Sequence, residues 1–139
     1  MPIDGTYSAT RDQNVKAGRL ITSPDTAPAS TTSTTTLTAA QVLGGIVVND
    51  PSGGSITMTL PTAALLDAAL PEPRIGDVIR CLVVNGADAA ETITIAAGTG
   101  GGFDANQTSA SRVIGQNTSK TLHIRITGVG AAAAYVVYA

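Results

Sequence analysis

The sequence lacks tryptophan and contains one cysteine and one histidine among its 139 residues. The single cysteine, Cys81, excludes an intramolecular disulfide, and its position in the apolar segment "DVIRCLVVN" predicts a buried, unreactive thiol. The single histidine, His123, has no cysteine or acidic neighbours in a ligand pattern, so the sequence does not support a metal site. The acidic residues are not spaced for acid–base catalysis, and no nucleophile motif occurs. We therefore predict no enzyme activity, no metal and no cofactor.

Charge is also scarce. Asp, Glu, Lys and Arg make up 13% of the residues, against a usual share of about 25%, and the formal net charge is −2. Such a chain has no basic field for a phosphate backbone, so we do not expect a nucleic-acid partner. It has no run of ~18 apolar residues that could span a membrane. Its polar beginning, "MPIDGTYSATRDQ", lacks the apolar core of a secretory signal, so we expect synthesis in a cytoplasm and no membrane partner.

One glycine-rich stretch, "AAGTGGGFDANQ" at residues 96 to 107, is the only segment that resembles a nucleotide-binding loop. A dinucleotide fingerprint counted from Gly98 needs a glycine where Phe103 stands, and a P-loop needs Lys and Ser or Thr after Gly102. Both patterns fail. We predict a turn between strands at the rim of a β domain.

The chain divides into two parts of different composition. Residues 1 to 36 contain few large apolar side chains and end in "TAPASTTSTTT", which cannot bury enough surface to offset its own ordering. We assign residues 1–36 to an extended N-terminal arm and residues 37–139 to a single domain. The arm is either a solvated tail or a docking segment whose basic and aromatic residues bind an acidic partner surface. They are Tyr7, Arg11, Lys16 and Arg19.

The domain reads mainly as short strands. Thr38 and Gln41 have the spacing of a capping box and predict a helix of one or two turns, while Thr62 begins a second helix near 61 to 70. "GIVVN" and "SITMTL", separated by a turn, predict a β-hairpin. Roughly seven short strands with Gly, Asn and Asp turns favour an all-β fold. We expect an antiparallel sandwich or barrel, jelly-roll or tulip-like, with one short inserted helix.

The strand "VIRCLVVN" is apolar at nearly every position. A strand with one solvent-exposed face should alternate apolar and polar residues, so this pattern predicts burial on both faces. A second cover is then needed from another sheet, from the helix or from another subunit.

The order of these elements resembles a known family. "LTAAQVLGGIVVND", "ITMTLPTAALLDAAL", "RIGDVIRCLVVNGADAAETITIAAGTGG" and the terminal "AAAAYVVYA" are similar to small β-structured virion proteins of tailed bacteriophages. These are the capsid decoration (cement) and head-fibre proteins, in which a strand ending in "LPTA" leads into a short helix and a "GD" turn leads into a long strand ending in Asn. The resemblance covers residues 37 to 139.

The resemblance implies a homotrimer that decorates and stabilises the exterior of a phage capsid after synthesis in the host cytoplasm. Its partners would be the major capsid protein and neighbouring decoration subunits, which the N-terminal arm would contact through Tyr7, Arg11, Lys16 and Arg19. The trimeric state comes from the family alone. The surplus apolar face of "VIRCLVVN" and part of "AYVVY" supply the predicted trimer interface, namely Val78, Leu82, Val84, Tyr135 and Val137.

Two other classes of function stay open. A carbohydrate-binding adhesin at a fibre or tail tip needs exposed aromatic side chains to stack on sugar rings, and the sequence offers few of them. These are Tyr7, Phe103, Tyr135 and Tyr138. An enzyme on a β fold needs a convergent polar pocket, which no motif in the sequence indicates.

Overall fold

The computed structural model describes residues 29–139, which form ten strands in two facing sheets. The six-stranded sheet contains, in spatial order, β1 (Ala29–Thr31), β3 (Ile46–Asn49), β5 (Val78–Asn85), β9 (Thr118–Gly128), β10 (Ala134–Tyr138) and β7 (Gly101–Phe103). The four-stranded sheet contains β2 (Thr35–Thr36), β4 (Ile56–Thr59), β6 (Ile93–Ala96) and β8 (Val113–Ile114).

Two α-helices within the described range begin where the sequence predicts. In α1 (Ala39–Leu43) the Thr38 side chain accepts a hydrogen bond from the main-chain N–H of Gln41, and the Gln41 side chain accepts one from the N–H of Thr38. This reciprocal pair is the predicted capping box. In α2 (Ala63–Ala69) the Thr62 side chain accepts from the N–H of Leu65, as its predicted N-cap role requires.

The chain winds between the two sheets. From β1 to β6, odd-numbered strands enter the six-stranded sheet and even-numbered strands enter the four-stranded sheet. Each return places a strand parallel to its predecessor in the same sheet, so that β1, β3 and β5 are parallel neighbours, as are β2, β4 and β6. Antiparallel pairing begins only afterwards, where β9 lies along β5 and β8 lies along β6.

This winding contradicts the predicted all-β antiparallel sandwich or barrel. The fold is mixed, because residues 29–139 contain two α-helices and each sheet has both parallel and antiparallel pairs. The predicted hairpin of "GIVVN" and "SITMTL" is also wrong, because those segments are β3 and β4 and lie in different sheets. The physical reason is that each connection leads from one sheet to a strand of the opposite sheet, and the next connection leads back to the first sheet. A parallel neighbour therefore needs no long helical crossover.

The core lies between the sheets and follows the alternation of the strands. On β4 and in the middle of β9, every second side chain is buried. These side chains are Ile56 and Met58 on β4, and Leu122, Ile124 and Ile126 on β9. On β5 the alternation is equally regular, since Ile79, Cys81, Val83 and Asn85 are buried and the intervening side chains are not.

Residues 29–36, which the sequence analysis assigned to the arm, lie along one side of the sandwich. β1 is the edge strand next to β3, and β2 is the edge strand next to β4. The Thr31 carbonyl accepts a hydrogen bond from the N–H of Asp50 at 3.0 Å, and the Thr34 hydroxyl accepts one from the N–H of Thr57 at 3.2 Å. The chain thus contacts the edges of both sheets before it enters the predicted domain.

Candidate functional site: the outer face of the six-stranded sheet

The side of the six-stranded sheet that points away from the core forms a broad surface, here named the outer face. Its side chains occupy the outward positions of β3, β5, β9 and β10, and the pairing of the strands aligns them in rows across the sheet. The rows are Val48, Val84 and Ser119; Ile46, Leu82 and Thr121; Arg80, His123 and Tyr138; and Val78, Arg125 and Val136.

Much of the outer face is apolar and open to solvent. Ile46 is 41% exposed, Val78 is 50% exposed and Tyr138 is 39% exposed. Leu82 and Val84 are half-buried between them and their strand neighbours. Large apolar side chains that share one face and remain accessible are typical of a surface that binds another protein.

The remaining rows of the outer face carry positive charge. Arg80 lies opposite His123 in the β5–β9 register, and Arg125 lies opposite Val78. Both arginines are exposed, and neither forms an ion pair with any of residues 29–139. The outward positions of these two rows contain no carboxylate, so this end of the outer face favours an acidic partner surface.

The structure divides the predicted trimer-interface residues between two sides of the sheet. Val78, Leu82 and Val84 lie together on the outer face. Tyr135 and Val137 point the other way and are buried in the core of the chain. The outward neighbours on the same strand are Val136 and Tyr138, so the contribution of "AYVVY" to the outer face comes from those two side chains.

Sequence reasoning missed several members of the outer face. Ile46 and Val136 were not singled out, and Arg80 was read only as part of an apolar strand. Ile46 is in register with Leu82, and Val136 with Arg125, across strand pairs that the sequence alone does not reveal. The one available signal was the outward alternation of "TLHIRIT", which sets His123 beside Arg125 on the exposed side.

The glycine-rich stretch has a packing role. Gly100, within the predicted turn, has a φ of 79°, in the left-handed region that favours glycine, and the next three residues form β7. A Cβ at Gly101 would overlap the ring of Tyr135, so the absence of a side chain makes room for that ring. The stretch therefore accommodates a buried tyrosine against the edge of the sheet.

The buried titratable side chains do not form a reactive centre. Burial raises the pKa of the Cys81 thiol from its usual 9.0 to about 11, which keeps the thiol protonated at neutral pH. Burial also raises the pKa of the Tyr135 phenol, while the hydrogen bond from the Gly98 N–H acts in the opposite direction. Residues 29–139 contain no group of three or more His, Cys, Asp or Glu side chains placed to hold a metal ion.

The predicted arm contacts Tyr7, Arg11, Lys16 and Arg19 lie outside the described residues. Within residues 29–139, no helix has the length and apolar character needed to cross a bilayer. Comparisons with protein-family models, with curated proteins and with solved structures found no match for this chain.

Proposed function

We propose that this chain is a structural virion protein that decorates and stabilises the exterior of a bacteriophage capsid as a homotrimer. The outer face is the observation that carries the proposal, because it presents exposed apolar side chains on one side of a six-stranded sheet. In this role the subunits contact one another through the outer face. The protein then acts by assembly alone, with no enzymatic step and no cofactor.

The second part of the proposal concerns the N-terminal arm. Residues 1–28 precede β1, an edge strand of the six-stranded sheet. A chain of about 28 residues reaches at most roughly 90 to 100 Å when extended, enough to contact a neighbouring capsomer. Tyr7, Arg11, Lys16 and Arg19 are proposed to contact the major capsid protein or a neighbouring decoration subunit. Three arms per trimer would add avidity to individually weak contacts.

The alternative proposal, a receptor-binding domain at a fibre or tail tip, finds less support. Sugar binding would need aromatic rings open to solvent. Among residues 29–139, Tyr135 is buried, Phe103 is half-buried under the Arg112 guanidinium at 4.1 Å, and Tyr138 is exposed but belongs to the apolar outer face. We therefore favour decoration.

Electron cryomicroscopy of particles from the virus that encodes this chain tests the proposed location. Decoration predicts threefold density for the sandwich on the outside of the shell, with the arms crossing to adjacent capsomers. Density at a tail tip would support the alternative, and particles without the chain would contradict both. A chain that begins at residue 29 isolates the role of the arm, since it keeps all ten strands and should lose binding to undecorated shells.

A further inference from the structure

The charges at the two ends of the six-stranded sheet have opposite signs. At the beginning of β5, Arg80 and Arg125 lie on adjacent outward rows of the outer face. The carboxylate of Asp77, which directly precedes β5, accepts a hydrogen bond from the Arg74 N–H at 2.9 Å. This cationic end, defined by Arg80 and Arg125, therefore presents guanidinium groups beside the exposed Val78.

The other end of the same sheet is acidic. The parallel strands β3 and β5 finish side by side, with Asn49 in register with Asn85, and each continues into a loop with an exposed aspartate. Asp50 follows β3 directly and occupies the next outward position after Ile46 and Val48. Asp88 lies three residues beyond the end of β5. Asp50 and Asp88 form the acidic end, about 25 Å from the cationic end at ~3.3 Å per residue.

Neither end neutralises the other within one chain, because the apolar rows of the outer face separate them. The single ion pair recorded among residues 29–139 joins Arg74 and Glu72, in the loop before β5. Charged groups separated by about 25 Å lie beyond the screening length of ~8 Å at physiological salt. Each end can therefore bind an oppositely charged surface on a neighbouring molecule.

We propose that copies of this chain associate head to tail, with the acidic end of one copy docked on the cationic end of the next and the apolar rows of the outer face enclosed between them. The inference rests on the proposed homotrimer and specifies its contact. A closed ring of three requires two different surfaces in every contact, and the two ends of this sheet supply a complementary pair. The occupant of the outer face is then a second copy of this chain.

Charge reversal tests the arrangement. Arg80→Glu with Arg125→Glu reverses the cationic end, and Asp50→Arg with Asp88→Arg reverses the acidic end. Each double variant juxtaposes like charges, so we expect the protein concentration at half-dissociation to rise by about tenfold or more. The fourfold variant restores opposite charges and has the formal charge of the original chain. We expect its half-dissociation concentration to return to within about threefold of the original value.

Sedimentation velocity over a dilution series measures these concentrations, and circular dichroism checks that every variant is folded. A matched control, Glu72→Arg with Arg74→Glu, reverses an exposed ion pair away from both ends and should leave association unchanged. Double variants that associate normally, or a fourfold variant as weak as the doubles, would overturn the head-to-tail contact while leaving the trimer intact. An unmodified chain that is monomeric at micromolar concentration would instead refute the trimer, and a dimer would replace the ring by a twofold contact.

Discussion

The phenol of Tyr135 donates a hydrogen bond to the main-chain carbonyl of Pro61 at 2.9 Å and accepts one from the N–H of Gly98 at 2.8 Å. One side chain near the C-terminus thereby joins β10 to the loop before α2 and to the glycine-rich turn after β6. Because these groups are buried or half-buried, the hydroxyl replaces water as their partner.

Removing that hydroxyl should destabilise the fold. Tyr135→Phe leaves the Pro61 carbonyl and the Gly98 N–H without their partner, which costs about 1–3 kcal/mol per buried group. We expect a lower melting temperature by calorimetry. Tyr138→Phe is the matched control, since Tyr138 lies on the same strand but is exposed, and its free energy of unfolding should change by less than about 0.5 kcal/mol. Equal effects of the two substitutions would contradict the assigned role of Tyr135.

Neighbouring glycines on β7 should respond differently to the same substitution. A methyl group at Gly101 meets the ring of Tyr135, whereas one at Gly102 meets no atom within 4 Å. Gly101→Ala should cost about 1–3 kcal/mol through overpacking, and Gly102→Ala should be nearly neutral. Urea unfolding measures both values, and a neutral Gly101→Ala would show that the ring can move aside.

The amide of Asn85 joins the end of β5 to the four-stranded sheet. Its Nδ2 donates to the carbonyls of Glu91 and Ile114, each at 3.0 Å, and its Oδ1 accepts from the N–H of Ala87 at 3.1 Å. Asn85→Ala should therefore destabilise the protein by at least about 2 kcal/mol, because several main-chain groups lose their partner. The exposed Asn106→Ala is the control and should change the free energy of unfolding far less. A loss below about 0.5 kcal/mol for Asn85→Ala would mean that water can replace the amide.

Alkaline pH should weaken the fold through Cys81. The folded state raises the pKa of this thiol from 9.0 to about 11, so it holds the proton more tightly than the unfolded chain does. The resulting stabilisation is complete below pH 9 and is lost as the pH rises towards 11, an effect of about 3 kcal/mol. Urea unfolding at successive pH values measures the slope, which should be shallower in Cys81→Ala. Tyr135, whose pKa is also raised, should account for a residual slope in that variant.

Local features of the fold were predictable from the sequence, and the arrangement of the strands was not. The caps at Thr38 and Thr62 depend on side chains within three residues, and the alternation in "SITMTL" depends on one strand. The partner of each strand depends on where the chain returns after crossing the core. β3 pairs with β5, from which it is separated by 28 residues that include β4 and α2. The turn signal between "GIVVN" and "SITMTL" therefore suggested a hairpin that the structure does not contain.

Only part of the outer face could be predicted from the sequence, because the face combines strands that are distant along the chain. The surplus apolar positions of "VIRCLVVN" include Val78, Leu82 and Val84, which share the outer face, and their burial against another subunit stays a prediction. The sequence does not determine which alternate residues of "AYVVY" point into the core, because its apolar and aromatic side chains fit the core and the surface equally well. The structure assigns Tyr135 to the core and Tyr138 to the surface.

The oligomeric mass of the purified chain tests the central claim most directly. Static light scattering at micromolar concentration should give three times the 13.9 kDa mass of one chain, whereas Ile46→Lys with Val78→Lys should give a single-chain mass. Leu65→Lys with Ile75→Lys is the matched control, because these apolar side chains are as exposed, at 56% and 64%, but lie outside the outer face. We expect this control to remain trimeric. A monomeric unmodified chain, or dissociation of the control and not of the outer-face variant, would contradict it.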